Sequence, residues 1–159
     1  VRLNIYVAAR LPRLMVDPIL IEQVLINLLK NAGESIQHAQ RPPGQRHVEL
    51  QVVPRTVEGR DVVEFTVRDS GSGIPQDRLD RIFEAFYSTK AEGMGIGLKL
   101  CRSIIESHHG RLHARNLYNG SEVAGCEFTF WIPVSPQDAA ESRVHPSSVN
   151  EAQTPEGQR

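Results

Sequence analysis

Residues 69–75, Asp-Ser-Gly-Ser-Gly-Ile-Pro, and residues 93–98, Gly-Met-Gly-Ile-Gly-Leu, form two glycine-rich turns within thirty positions of one another. Glycine tolerates positive φ and lets successive amide N–H groups point inward with no side chain in the way, so such turns open the backbone to a polyanionic ligand. Asp69 heads the first turn, where a carboxylate could read one edge of a base. Upstream, Asn27 and Asn31 stand four residues apart, a spacing that puts both on one side of a helix, with Lys30 between them. Asparagine is mildly unfavourable inside a helix because its amide competes for backbone hydrogen bonds. Two neutral amide oxygens can ligate Mg²⁺ without neutralising it, which leaves the ion able to bridge phosphate oxygens. Taken singly, the asparagines also fit a solvated helix face and the glycine turns fit ordinary loops. Their combination in one short chain gives them weight.

These residues need elements to hold them. Residues 2–8 alternate apolar and polar and predict a strand. Asp17-Pro18 is a helix start, because Asp accepts from orphan N–H groups and Pro is tolerated in the first turn. Ile21, Val24, Leu25, Leu28, Leu29 and Ala32 then recur at spacings of three and four, which predicts an amphipathic helix ending near Ile36. A loop over 37–47 with Pro42-Pro43-Gly44 leads to two strands, 47–54 and 62–68, joined by a turn at Glu58-Gly59-Arg60-Asp61. Residues 76–83 predict a short helix with Phe83 and Phe86 as apolar anchors. Leu98 to Ser107 predicts a firmer one, with Leu98, Cys101, Ile104 and Ile105 along one side. Strands at 111–117 and 125–133 close the domain around a turn at 118–121. The implied fold is an α/β two-layer sandwich, a mostly antiparallel sheet with helices on one face. The order is not a regular βαβ repeat, and no Gly-Lys-Ser/Thr follows the glycines, so neither a doubly wound fold nor a Walker loop is indicated.

The 159 residues fit one domain over 1–134, with 135–159 polar, proline-bearing and expected to be a disordered tail or linker. A net charge of -1 argues against bulk nucleic acid or an anionic membrane as partner. No apolar run approaches the ~20 residues that span a bilayer. Cys101 and Cys126 lack metal-ligand spacing and read as buried free thiols of a reducing, cytoplasmic compartment, with a disulfide as the alternative. The chain opens on Val1 in mid-pattern, as expected of a piece of a longer protein.

Residues 23–32, Gln-Val-Leu-Ile-Asn-Leu-Leu-Lys-Asn-Ala, closely resemble the asparagine box of bacterial sensor histidine kinases. Residues 69–74 resemble their first glycine box, 82–90 (Ile-Phe-Glu-Ala-Phe-Tyr-Ser-Thr-Lys) their phenylalanine box, and 93–98 their second glycine box. All four stand in the family's order, and the flavour of 86–98 is similar to the oxygen, nitrogen and tetrathionate sensor kinases. The resemblance implies the Bergerat ATP-binding fold shared with gyrase, the mismatch-repair ATPase and the heat-shock chaperone, with ATP and Mg²⁺ as ligands.

It further implies that Asn31 is the principal Mg²⁺ ligand, with Asn27 beside it, and that Lys30 contacts phosphate. Asp69 would accept from the adenine amine, and Gly71 and Gly73 would make room for the nucleotide. Thr89 and Lys90 would begin a lid over the phosphates, where a lysine point charge suits the γ-phosphate. Gly95, Gly97 and Leu98 would present backbone N–H groups at a helix N-terminus, and Ile74, Gly93 and Ile96 complete the implied nucleotide set. Two departures bear on mechanism. The ATPase branch carries a water-activating Glu where this chain has Asn27, so efficient hydrolysis is not expected, and Glu34 lies a turn too far along to replace it. Ser107-His108-His109-Gly110 replaces the usual His-Gly-Gly, which puts His109 where glycine normally takes positive φ. None of the six histidines has the His-Glu-x-x-x-Pro context of a phosphoacceptor. The implied partners are therefore a dimerisation domain of the same protein that carries this histidine, and a response regulator. A same-fold ATPase or clamp, an anti-sigma-type serine kinase and a non-catalytic binding module are the competing readings.

Overall fold

The computed structural model describes residues 1–84 and 97–135. In chain order the elements are β1 (Arg2–Val7), α1 (Pro18–His38), β2 (His47–Val57), β3 (Arg60–Asp69), α2 (Gly97–Ser107), β4 (Arg111–Asn119) and β5 (Glu122–Pro133). They build a five-stranded sheet of order β1-β2-β3-β5-β4, in which β1 runs parallel to β2 and the other pairs are antiparallel. The mixed sheet with two helices is the two-layer arrangement expected from the element order.

One face of α1 is the predicted stripe: Ile21, Val24, Leu28, Ala32 and Ile36 are buried, with Leu25 and Leu29 packed at its margin. Together with Cys101, Ile104 and Ile105 of α2, this stripe covers Val48, Val67, Leu112, Phe128, Phe130 and Ile132 on the sheet. Phe65 stacks on Phe130 with centroids 4.6 Å apart. The other sheet face carries a charged ladder across four strands. Arg68 pairs with Glu49 at 2.8 Å and with Glu127 at 2.6 Å, and Arg115 also reaches Glu127 at 2.6 Å. Two guanidiniums on one carboxylate outweigh the burial that would otherwise raise it, so Glu127 titrates below its ordinary range.

Several elements differ from the sequence reading. Residues 76–83 form only a single 3₁₀ turn, Gln76–Arg78, followed by further turns, because so short a segment cannot offset the cost of helix nucleation. Ile82 is nevertheless buried, and Phe83 meets the edge of Phe128 at 6.5 Å. Phe86 lies outside the described residues. The central hairpin is longer than expected: β2 and β3 run up to a two-residue loop in which Glu58 and Gly59 take φ of 50° and 76°. Paired positive φ values match the right-handed twist of the strands. β1 forms as predicted, but its alternation does not reflect a buried face, since Leu3 and Ile5 remain 50% and 62% exposed at the sheet edge. Cys101 and Cys126 are both buried free thiols. No helix among the described residues is long and apolar enough to cross a membrane. Of the expected tail, only Ser135 falls within the described residues.

Candidate functional site

The site grows from the end of β3. Pairing places Val48, Asp69, Cys126 and Asn116 in one row across β2, β3, β5 and β4, on the side of the sheet that faces the helices. Asp69 closes that row of strand β3 and is 4% exposed. Its Oδ1 accepts from the Gly71 N–H at 2.8 Å, and the Ser35 hydroxyl and the Cys126 N–H also bond to the carboxylate. Burial lifts its pKa to about 6, against the pull of those three donors and of the His47 charge. The same burial, with the Asp69 charge beside it, pushes the Cys126 thiol up to about 12, so it stays protonated.

The turn after Asp69 is held from every side. The Ser72 N–H donates to Ser35 Oγ at 3.2 Å. Arg41, in the loop after α1, donates from Nη2 to the carbonyls of Gly71 at 3.3 Å and Val123 at 3.1 Å. Asn116 accepts from the Ile74 N–H at 2.8 Å and donates to the Ile74 carbonyl at 2.6 Å. Ser70 turns outward from the row, its hydroxyl accepting from the His47 N–H at 3.0 Å and donating to Gln45 O at 2.6 Å. Two glycines are required here. A Cβ on Gly71 would lie 2.7 Å from Asp69 Oδ1, and Gly73 sits at φ 70° with Asn116 Oδ1 where a Cβ would need to be.

Helix α1 supplies the facing wall. Asn27, Asn31 and Ser35 recur every four residues, so they form one polar stripe beside the apolar one. At one end Ser35 touches the Asp69 turn, and at the other the Asn27 amide donates to Cys101 Sγ on α2 at 3.5 Å. Half-buried Asn31 lies between them, one turn of helix from each. The stripe therefore runs from the first glycine turn to the helix that follows the second. Lys30 is exposed on the neighbouring face. Gly97 is exposed at the first position of α2, and Leu98 beside it is half-buried.

Of the residues expected at the site, Asn27, Lys30, Asn31, Asp69, Gly71, Gly73, Ile74, Gly97 and Leu98 are described, and they lie on α1, on the turn after β3 and at the start of α2. Thr89, Lys90, Gly93, Gly95 and Ile96 lie outside the described residues. Three contributors escaped the sequence reading. Ser35 was detectable as the next step of the Asn27–Asn31 spacing. Arg41 and Asn116 carried no signal, because only strand pairing and loop closure bring them to the turn. Among the described residues no group of three or more His, Cys, Asp or Glu could hold a metal ion.

Comparison with known proteins agrees with this geometry. Residues 16–136 match the family model described as histidine kinase-, DNA gyrase B- and HSP90-like ATPase. The chain is 39% identical over 124 residues to the sensor protein FixL of Bradyrhizobium diazoefficiens, covering 78% of this chain and 22% of FixL. It thus spans about a fifth of the length of that curated relative. The catalytic domain of histidine kinase ThkA superposes with a TM-score of 0.63 at 30% identity, covering 86% of this chain and 81% of that domain. Full-length ShkA in complex with AMPPNP superposes with the same TM-score of 0.63 at 27% identity, over 83% of this chain and 25% of ShkA. On the family match, the sequence relatives and the shared fold, the chain belongs to the histidine kinase-, DNA gyrase B- and HSP90-like ATPase family of ATP-binding domains, and within it to the catalytic domains of sensor histidine kinases.

Proposed function

We propose that this domain binds Mg²⁺-ATP between α1, the Asp69 turn and the start of α2, and offers the γ-phosphate to a histidine on a dimerisation domain of the same protein. Onward transfer to a response regulator would follow. The observation that carries the reading is Asp69: a carboxylate buried at a strand end, beside a turn whose two glycines leave no room for a side chain. Asp69 accepts a hydrogen bond from the adenine amine, and guanine, with a carbonyl at that edge, is refused. Gly71, Gly73 and Ile74 line the base. The Asn27 amide nitrogen is engaged by Cys101 Sγ, which leaves its Oδ1 as the group to serve a cation beside Asn31. These two oxygens are the neutral donors that would hold Mg²⁺, which when bound offsets phosphate charge. Lys30, Thr89 and Lys90 serve the phosphates, with the main chain of Gly93, Gly95, Ile96, Gly97 and Leu98 at the α2 N-terminus. That the structural neighbour ShkA was solved in complex with AMPPNP supports nucleotide binding.

An amide at position 27 has no lone pair basic enough to deprotonate water, so the site favours a nucleophile brought by another domain over hydrolysis. The test is to incubate the full-length parent protein with ATP radiolabelled on the γ-phosphate. The expected product is acid-labile and alkali-stable, and Asn31→Ala lowers labelling by about tenfold or more. An acid-stable product, or phosphate release that outpaces labelling, would favour a serine kinase or an ATPase instead.

A further inference from the structure

Asn116, on β4, makes no contact with the nucleotide in the reading above, yet it is 9% exposed and directs both ends of its amide at one residue. Accepting from the Ile74 N–H and donating to the Ile74 carbonyl, it offers the turn what a neighbouring strand offers a strand. Ile74 lies five positions beyond Asp69, the last ladder residue of β3, so its N–H and carbonyl take their partner from Asn116 and not from a strand. The same side chain lies behind Gly73: a Cβ there would press first on the Val123 side chain and then stand 2.8 Å from Asn116 Oδ1 and 3.2 Å from the Gly125 carbonyl. Gly73 itself takes a left-handed φ of 70° beside this side chain. Arg41 works at the other end of the turn, tying the Gly71 carbonyl to the Val123 carbonyl of β5. The β4–β5 hairpin thus grips residues 71–74 while Ser35 restrains them from α1.

We propose that Asn116 is a positioning residue for the adenine end of the nucleotide. It acts through Ile74 and Gly73, holding the turn open so that Asp69 faces the base rather than a collapsed loop. The inference rests on the adenine reading of Asp69. No other small side chain serves. Aspartate keeps the acceptor but cannot donate to the Ile74 carbonyl when ionised, and its charge would enter the Asp69–Cys126 row. Alanine leaves the part-buried N–H and C=O of Ile74 without their side-chain partner.

The test is ADP binding by calorimetry, with amide hydrogen exchange, on the 159-residue chain and on Asn116→Ala and Asn116→Asp. Both variants should raise the ADP Kd by about tenfold, as expected from losing one or both of the part-buried hydrogen bonds that shape the turn. Exchange at the Ile74 amide should quicken by about a hundredfold while the Val67 amide, in mid-β3, keeps its protection. A role in stability alone would instead speed exchange at Val67 and Ile74 together and leave Kd unchanged in the folded protein, and that result overturns the assignment. If one variant fails to fold, the other decides. The unmodified chain separates the two readings: no ADP binding there refutes the nucleotide site itself, whereas normal binding in all three proteins refutes Asn116 alone.

Discussion

Asp69 accepts three hydrogen bonds and still titrates near pH 6, well above the 3.8 of an ordinary aspartate. Loss of water therefore outweighs every favourable contact at this atom. The folded state holds this proton to higher pH than the unfolded chain does, so ionised Asp69 lowers stability. That cost appears as pH rises from about 4 to about 6 and is fully present above. A two-unit shift corresponds to on the order of 3 kcal/mol, an upper bound for one buried group. Asp69→Asn should therefore be more stable than the unmodified chain in urea denaturation at pH 8, and the gap should close near pH 4. The same variant should weaken ADP binding ten- to a hundredfold, as loss of a buried charged hydrogen bond costs ~1.5–3 kcal/mol. Stability gained where affinity is lost marks a residue kept for binding. Parallel stability curves across pH would show that Asp69 carries no such burden.

At the scale of elements, the ends of α1 and α2 are joined. Asp17 caps α1, its Oδ1 accepting from the Ile19 and Leu20 N–H groups at 3.0 and 3.2 Å. Its own N–H donates to His108 Nε2 at 3.1 Å, while His108 Nδ1 bonds the Ile104 carbonyl at 2.7 Å. Both bonds form only in the neutral Nδ1–H tautomer. His109 follows at φ 63°, with its N–H and that of Gly110 closing the helix on Glu106 and Ile105 carbonyls. The position where the sequence departs from His-Gly-Gly is thus a left-handed C-terminal residue, as its place after the helix implied. Two substitutions should move the thermal midpoint in opposite directions. Asp17→Ala loses the cap and about 1 kcal/mol. His109→Gly relieves the left-handed strain of an L-residue and gains roughly 0.5–1 kcal/mol after the entropy cost of glycine, a rise of a few degrees. Equal midpoints in the His109→Gly pair would mean the strain is absorbed elsewhere.

At the scale of the molecule, one core serves both helices and the sheet, and Phe130 is its largest wholly buried side chain. Phe130→Ala should cost about 3–5 kcal/mol. Against a total of about 5–15 kcal/mol for a domain of this kind, that is a large fraction. Denaturant titration should show the midpoint fall sharply, and ADP binding should weaken only as far as the folded fraction falls. A small loss would mean that α1 and α2 can close over the vacancy.

Local patterns carried much of this. The Asp17-Pro18 start, the α1 stripe and the strands each follow from the chemistry of adjacent residues, so period and capping place them without any distant partner. The two asparagines stood out because an amide inside a helix is mildly unfavourable, and Asp69 because it heads a glycine-rich turn. The failures share a cause too. The segment 76–83 had helical composition, but no face of it found enough burial to propagate a helix. β1 alternated like a half-buried strand and lies bare at the edge, since burial depends on which neighbours the helices reach. Asn116 and Arg41 reach the turn only because strand register and the loop after α1 fold them there, and Asp69 reaches a pKa near 6 only because its burial in the folded domain removes its water. Residue type and spacing select which chemistry is possible, through short-range sterics and hydrogen bonding. Pairing between distant parts of the chain, such as Asp69 with Cys126, decides which groups meet and how far they are desolvated, because those energies exist only once the layers close.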